Sequence, residues 1–194
     1  MKRIAYILLF SLLLVSCGTR SGYFKMEGRF LHMNQGELYV YSPDGGIAGL
    51  DTIKIEAGRF SYEKPCSKPS TLIIIFPNYS IQPIFAESGE AVEVKADASH
   101  LKEMEVEGTE DNELMTKFRK QIASVSPPEE LKYAIAFIKD HPESAVSVYL
   151  LNRYLVQTES PDYKLAAKLL PLLIKEQPDN ATLGRLQRHL SELG

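Results

Sequence analysis

The stretch Phe24-Lys25-Met26-Glu27-Gly28-Arg29-Phe30 alternates apolar or small residues with charged ones. This period of two is typical of a β-strand that buries one face and exposes the other. Similar short strands continue to Glu107, and they are separated by turn signals such as Ser42-Pro43-Asp44-Gly45-Gly46. About seven or eight short strands joined by turns predict an antiparallel β-sandwich or barrel.

The sequences of two of these strands indicate where each strand lies in the sheet. Residues Thr71 to Phe76 form a continuous apolar run, which predicts a strand buried on both faces. Pro83 lies inside the segment Ile81 to Ala86, and because proline cannot donate to a ladder it indicates an edge strand or a bulge. The other predicted strands are Glu37 to Tyr41, Thr52 to Ile55, Phe60 to Tyr62, Ala91 to Lys95 and Glu105 to Glu107.

The pattern changes to helical spacing in the second half of the chain, where Leu114, Phe118 and Ile122 recur at intervals of one helical turn. Ser126-Pro127-Pro128-Glu129 is a capping-box sequence with proline in the first turn, so another helix begins there. An α-helical cluster is therefore predicted to follow the strands. We expect the fold class to be α+β.

The N-terminal segment predicts the compartment. Lys2-Arg3 precedes an apolar run from Ile4 to Val15, and Ser16 and Cys17 follow it, which is the layout of a secretory signal. The cysteine directly after Ser16 resembles the lipobox of a bacterial lipoprotein. That resemblance implies cleavage before Cys17 and a diacylglyceryl thioether on its sulfur. A plain signal or a membrane anchor is the alternative, but a spanning helix needs about 20 apolar residues and this run is shorter.

These predictions divide the chain into four parts. Residues 1–16 are the lipoprotein signal, residues 17–22 a lipidated leash, residues 23–109 the β domain and residues 110–194 the helical region. In lipoproteins that this one resembles, a glycine such as Gly18 after the cysteine implies the outer membrane and its periplasm-facing side. The membrane is thus the first expected partner, through the lipid on Cys17.

Cys66 is the second cysteine of the sequence. Because Cys17 is consumed by lipid, Cys66 is a candidate free thiol with no partner for an internal disulfide. A reactive thiol needs nearby cations, and Lys64 and Lys68 are close in sequence. The prolines between them argue against a regular strand with all three side chains on one face. We predict that Cys66 packs as a small apolar residue.

No catalytic residue, metal site or cofactor is predicted. The four histidines are scattered without a metal-binding spacing, and the Gly45 to Gly49 loop lacks the Lys-Ser/Thr of a phosphate loop. Glu87 is interpreted as a solitary carboxylate and Tyr39, Tyr41, Tyr62 and Tyr79 as packing residues. The net charge of the chain is −3, with no basic run, so nucleic acid is not an expected partner.

Several short motifs resemble a family when they are taken in order. They are Phe24 to Gly28, Leu38 to Val40, Asp51-Thr52, Gly58 to Phe60, Phe85 to Gly89 and Val106 to Thr109. Together they resemble the domain of unknown function at the N-terminus of many Bacteroidetes lipoproteins of the thiol–disulfide oxidoreductase type. In that family a thioredoxin-like domain with a Cys-x-x-Cys site follows, and we expect the present chain to lack it. No catalytic cysteine is carried over.

These observations lead to three expectations of function. The first is a lipid-anchored, non-enzymatic binding or accessory module of the cell envelope, with an envelope protein as a candidate partner. The second is an accessory to, or truncated form of, a thiol–disulfide oxidoreductase. The third is a carbohydrate-binding or hydrolytic module. A concave pocket with convergent polar groups is the feature that would favour the third class.

Overall fold

The computed structural model describes residues 19–192, and within them eight strands precede five helices. The expected α+β class is confirmed. The strands are β1 (Tyr23–Leu31), β2 (Gln35–Tyr41), β3 (Leu50–Glu56), β4 (Arg59–Pro65), β5 (Ser70–Ile75), β6 (Ile81–Ala86), β7 (Ala91–Asp97) and β8 (Glu105–Glu107). The helices are α1 (Glu110–Ile122), α2 (Pro127–Asp140), α3 (Ala145–Leu151), α4 (Tyr163–Glu176) and α5 (Ala181–Glu192).

The strands form one sheet that curls into a nearly closed barrel, in the order β6-β5-β2-β3-β4-β1-β7-β8. Most neighbours are antiparallel, as expected. The pair β1–β7 differs, because it is parallel with Gly28 opposite Val94. A period of two is the same for both strand directions, so the sequence pattern carries no sign of this parallel pair.

The barrel interior holds the first of two hydrophobic cores. Inward-facing side chains alternate along each strand, as in Phe24, Met26 and Phe30 of β1. The rings of Phe30 and Phe60 stack with centroids 5.5 Å apart. The predicted burial of the Thr71 to Phe76 run on both faces is also present, because Leu72 and Ile74 enter this core while Ile73 is buried on the opposite face.

The helices enclose the second core, which Phe85 of β6 joins from the outer face of the sheet. The predicted capping box at the start of α2 is confirmed, since Ser126 and Glu129 bond reciprocally. None of the helices in residues 19–192 is long and apolar enough to cross a bilayer. The lipid-attachment prediction at Cys17 lies outside the described residues.

Helix α1 closes the gap between the two edge strands, β6 and β8. Asn112 accepts a hydrogen bond from the Phe85 N–H at 3.0 Å and donates one to the Phe85 carbonyl at 2.7 Å. One turn later, Thr116 Oγ1 accepts from the Val106 N–H of β8 at 2.8 Å. These side chains take the place of a neighbouring strand, so the edges that an open sheet would expose are satisfied by the chain itself.

Candidate binding cleft

A cleft of about 1110 Å³ lies between the outer face of the sheet and the helices. Its floor is formed by three neighbouring strands, since Tyr41 of β2 is opposite Ile73 of β5 and Ile73 is opposite Pro83 of β6. The floor residues that line it are Tyr41, Thr71, Ile73, Ile81 and Phe85. The apolar run of β5 and the edge strand β6 therefore supply a mainly apolar surface on their outer side.

Two helical segments form the opposite wall. Helix α3 packs against β6, and the Phe85 and Tyr149 rings meet edge to face with centroids 6.4 Å apart. Further along the chain, α5 adds a second row of side chains. The wall residues are Val148, Tyr149, Asn152, Arg153 and Val156 from the α3 segment, and Thr182, Arg185, Leu186 and His189 from α5.

The α3 segment ends in a π-helical turn over Asn152–Val156, at the place where it lines the cleft. The Gln157 N–H donates to the Asn152 carbonyl at 2.6 Å, which gives the wide i→i+5 closure of such a turn. The widened turn includes Arg153 and Val156, and both of these residues line the cleft. Single π turns inside helices are frequent at functional sites.

One end of the cleft is acidic. Glu87, Asp111 and Glu143 line it there, and the same residues border a smaller depression of about 350 Å³ that adds Glu90 and Glu110. Burial, reinforced by the charge of Asp111, raises the pKa of the Glu87 carboxyl. Burial also raises the pKa of Asp111, although its carboxylate accepts hydrogen bonds from the Ser144 hydroxyl and the Ala145 N–H. Like charges are crowded together at this end.

The other end of the cleft is basic, and we define it by Arg153 and His189. Asp111 fixes the start of α3 at the acidic end, so Arg153 lies eight residues further on, about 12 Å along the helix. Helix α5 runs in the same direction. The segment before its first turn contains Gln177, which donates to the Ser144 carbonyl at 3.1 Å near the start of α3. Near its other end, the His189 ring contacts the Tyr163 ring. Within residues 19–192, Arg153 forms no ion pair with a carboxylate.

A comparison with protein families identifies a match for the strand region and the first part of α1. Residues 24–115 match the model of a domain of unknown function, DUF4369. No curated protein and no solved structure matches the chain. The DUF4369 region contains the sheet from Phe24 onward, the cleft floor and Asn112, and it ends inside α1. The cleft wall from α3 and α5 lies beyond it.

Cys66 lies inside the DUF4369 region and is buried, with 5% of its surface exposed. Its Sγ donates to the Lys68 carbonyl at 3.3 Å, and burial raises the pKa of the thiol. The ammonium group of Lys64, which is close to Cys66 in sequence, forms an ion pair with Asp51 instead, with Nζ 2.7 Å from Oδ2. This environment is the opposite of the one that activates a cysteine.

We expect the Cys66 thiol to react with iodoacetamide at least about tenfold more slowly in the native protein than in urea, because burial keeps it protonated and inaccessible. Mass spectrometry of timed samples in a Cys17→Ser background measures the two rates. The matched control is Cys66→Ala combined with Ser67→Cys, since Ser67 is the exposed neighbour. Native Cys66 that reacts as fast as a cysteine at position 67 would contradict the packing role.

The other residues singled out from sequence are dispersed. His32 and His100 both approach Asp97, at 2.8 and 3.7 Å, on an exposed surface. No group of three or more His, Cys, Asp or Glu residues in the described part of the chain is arranged to hold a metal ion. Tyr79 is 88% exposed.

Two sequence interpretations change at the cleft. Glu87 is not solitary, because the charge of Asp111 adds to burial in raising its pKa. Tyr41 lines the cleft together with Tyr149 and Tyr163. The α3 part of the wall was missed because residues 144–157 appear in sequence as one helix that is apolar almost all round, which predicts a fully buried helix. The polar pair Asn152-Arg153 at the end of that segment is the signal that could have indicated a surface.

Proposed function

We propose that this protein is a non-enzymatic binding module of the bacterial cell envelope that takes its ligand in the cleft. The observation that carries the proposal is the cleft itself, which combines an apolar floor with charged groups at both ends. Ligand pockets commonly enclose about 300–1,000 Å³ and combine apolar walls with a few polar groups, so this cleft has a suitable size and character.

The sheet edges are a less suitable binding surface than the cleft. Strand addition requires free N–H and C=O groups along an edge. At β6 the Phe85 groups bond to Asn112, and at β8 the Val106 N–H bonds to Thr116. A partner strand would have to displace α1 before it could pair there. The cleft requires no such rearrangement.

The proposal includes a lipid anchor on Cys17 that holds the protein at the outer membrane, facing the periplasm. It is supported by the apolar run before Ser16-Cys17 and by the short polar segment after it. The residues just before β1 lie beside the β6–β7 turn, where the Gly22 N–H donates to Ser88 Oγ at 3.1 Å. Glu87 at the acidic end adjoins this turn, so the anchor would hold that end of the cleft near the membrane.

We expect Cys17→Ser to abolish incorporation of an alkyne-labelled fatty acid, because the substituted sulfur is the proposed acceptor. Gel fluorescence of labelled envelopes and fractionation measure the result, and Cys66→Ser is the matched control that should label normally. Wild-type protein that remains unlabelled and is released with the periplasmic contents would show that the anchor assignment is wrong.

The binding role can be tested with a built-in fluorophore, because the chain contains no tryptophan. Tyr41→Trp places a single reporter on the cleft floor, and Tyr133→Trp places one on the exposed surface of α2 as the control. The detergent-free fraction of an envelope extract that passes a protein-retaining filter should shift the emission of the first protein and not of the second. Identical behaviour of the two reporters would contradict ligand binding in the cleft.

A second candidate is an accessory role beside an envelope thiol–disulfide oxidoreductase. The order of motifs in the DUF4369 region supports it, because it resembles Bacteroidetes lipoproteins that carry a thioredoxin-like domain. The buried Cys66 lacks the exposure that a monothiol catalyst needs, so such a role would act through binding. In that case a blocked cleft, and not Cys66→Ala, should change the partner enzyme's rate of disulfide reduction.

A carbohydrate-binding or hydrolytic role is the third candidate, and the cleft favours it through Glu87 and Asp111. A carboxyl with a raised pKa is suited to general acid catalysis. Hydrolysis of an envelope polysaccharide that disappears in Glu87→Gln would support this role. Oligosaccharide binding without hydrolysis would leave the binding-module proposal in place with a different ligand.

A further inference from the structure

We infer that the ligand of the cleft is a short peptide in extended conformation, with its cationic end at Glu87 and Asp111 and its anionic end at Arg153. This inference rests on the proposed binding role and specifies the ligand class for the same site. Three properties of the cleft point to it: its length, its apolar centre and the opposite charges of its two ends.

The length is set by β6. Ile81 is the first residue of β6 and Glu87 directly follows its last, and both line the cleft, so the floor extends about 20 Å. Helix α3 runs along this strand in the reverse direction, because its start is fixed at Asp111 while Tyr149 packs on Phe85. The floor has room for about six residues of extended peptide, and the backbone of Arg153 lies about 12 Å along α3 from the acidic end. With the reach of the arginine side chain, an extended peptide of about four to six residues therefore joins the two ends.

The centre of the cleft is suited to apolar side chains. Ile73, Phe85 and Leu186 are buried there, and Tyr41 and Tyr149 are half-buried. The half-buried rings of Tyr41 and Tyr149 supply the accessible apolar surface, and two or three apolar peptide side chains that cover it would gain most of the affinity through the hydrophobic effect. A strongly polar ligand would leave this surface without a matching partner.

The charges select a peptide over a single-headed amphiphile. At the acidic end Glu87 and Asp111 repel each other, and neither carboxylate forms an ion pair within the described residues, although Asp111 also accepts hydrogen bonds at the start of α3. At the basic end Arg153 likewise has no carboxylate partner within residues 19–192. A fatty acid or a phospholipid headgroup would match one end only. A peptide with a free amino end and a free carboxyl end matches both.

The test uses the Tyr41→Trp reporter and four synthetic hexapeptides with the same apolar centre. The first has an N-terminal lysine and a free carboxylate. The second is acetylated with glutamine in place of lysine, the third is amidated at its C-terminus, and the fourth carries both changes. We expect the first to bind, and each charge removal to weaken binding about tenfold.

Two variants assign each charge to its end of the cleft. Glu87→Gln should abolish the preference for the cationic end and keep the preference for the free carboxylate. Arg153→Gln should do the reverse, and the exposed Arg188→Gln, which does not line the cleft, should change neither. This crossed pattern is a double-mutant cycle between protein and ligand, and a merely structural effect of either substitution would not produce it.

The outcomes separate the ligand class from the binding role. Palmitate or an oligosaccharide that shifts the reporter while all four peptides fail would overturn the peptide inference and leave the binding role intact. Equal affinity for all four peptides would also overturn it, because the charges would then select nothing. A reporter that responds neither to peptides nor to envelope extract would contradict the binding role as well.

Discussion

Replacement of Gly28 by alanine should destabilise the protein by about 3 kcal/mol or more, which is a large part of a typical stability of about 5–15 kcal/mol. Gly28 lies on β1 between the buried Met26 and Phe30, so its missing side chain would point into the barrel. An added Cβ would meet Phe60 Cε1 and the Val94 carbonyl oxygen, both at 2.6 Å.

The second of these contacts determines the size of the effect. The Phe60 ring can shift, but the Val94 oxygen belongs to the backbone of β7, which pairs with β1 at this position. Relief of the contact would require the two strands to separate at their parallel pairing, and the inward residues on both sides would lose close packing. Overpacking that displaces backbone is more costly than overpacking that displaces a flexible side chain.

Urea denaturation of Gly28→Ala and Gly36→Ala measures the effect against a matched control. Gly36 also lies in a strand, but the nearest atom to a Cβ added there is Met33 Sδ at 3.8 Å. We expect Gly36→Ala to change stability by less than about 0.5 kcal/mol. Equal midpoints for the two variants would show that β1 and β7 can separate at little cost.

Local features of this chain could be predicted from the sequence. The strand alternation, the apolar run of β5 and the capping box at Ser126 depend on residues close together in the chain, and each is present in the structure. The proline in β6 was also informative, because Pro83 occupies the edge strand that the sequence predicted. Each of these patterns follows from a requirement of one element alone.

Features that depend on distant segments could not be predicted. The parallel β1–β7 pair brings together strands that are separated by five others along the chain, and the alternation is the same for either direction. The cleft joins Ile73 of the sheet to Leu186 of α5, and neither segment indicates the other in sequence. For the same reason, Glu87 was interpreted as a solitary carboxylate and His189 as one of four scattered histidines.

The sequence predicted helix α1 and its apolar buried face, but it did not predict that the polar face is buried too. The spacing of Phe118 and Ile122 predicted one buried face, and both residues are buried. The polar residues Asn112, Thr116 and Arg119 lie at intervals of about one turn, and on a helical wheel they resemble a solvent face. They are buried because they bond to the edge strands, which only the assembled sheet reveals.

Arg119 donates three hydrogen bonds to other segments of the chain. Arg119→Met should therefore lower the free energy of unfolding by about 3 kcal/mol. Its guanidinium donates to Gln82 Oε1 and to the Pro83 carbonyl, both at 2.9 Å, and to the Met104 carbonyl at 3.4 Å. Burial lowers its pKa to about 10, so it remains protonated at neutral pH. Methionine would fill the space but leave these acceptors without a donor.

Two opposing effects determine the change in the free energy of unfolding of Arg119→Met. Removal of a buried charge relieves its desolvation cost, and hydrophobic replacement of complete buried ion pairs is often neutral for that reason. Here the partners are neutral oxygens that stay behind, and each buried acceptor left unsatisfied costs about 1–3 kcal/mol. The loss should therefore exceed the relief. Lysine should not rescue the variant, because a point charge cannot reach several acceptors as the planar guanidinium does.

The measurement combines urea denaturation with hydrogen exchange of the edge-strand amides. If Arg119 holds α1 in the gap, its loss should also expose the Phe85 and Val106 N–H groups, which Asn112 and Thr116 otherwise bond. Faster exchange at these amides, with unchanged exchange in β3 and β4, would place the damage at the gap. Arg188→Met, on the exposed surface of α5, should leave both readouts unchanged. A midpoint for Arg119→Met within error of that control would show that α1 closes the barrel without this side chain.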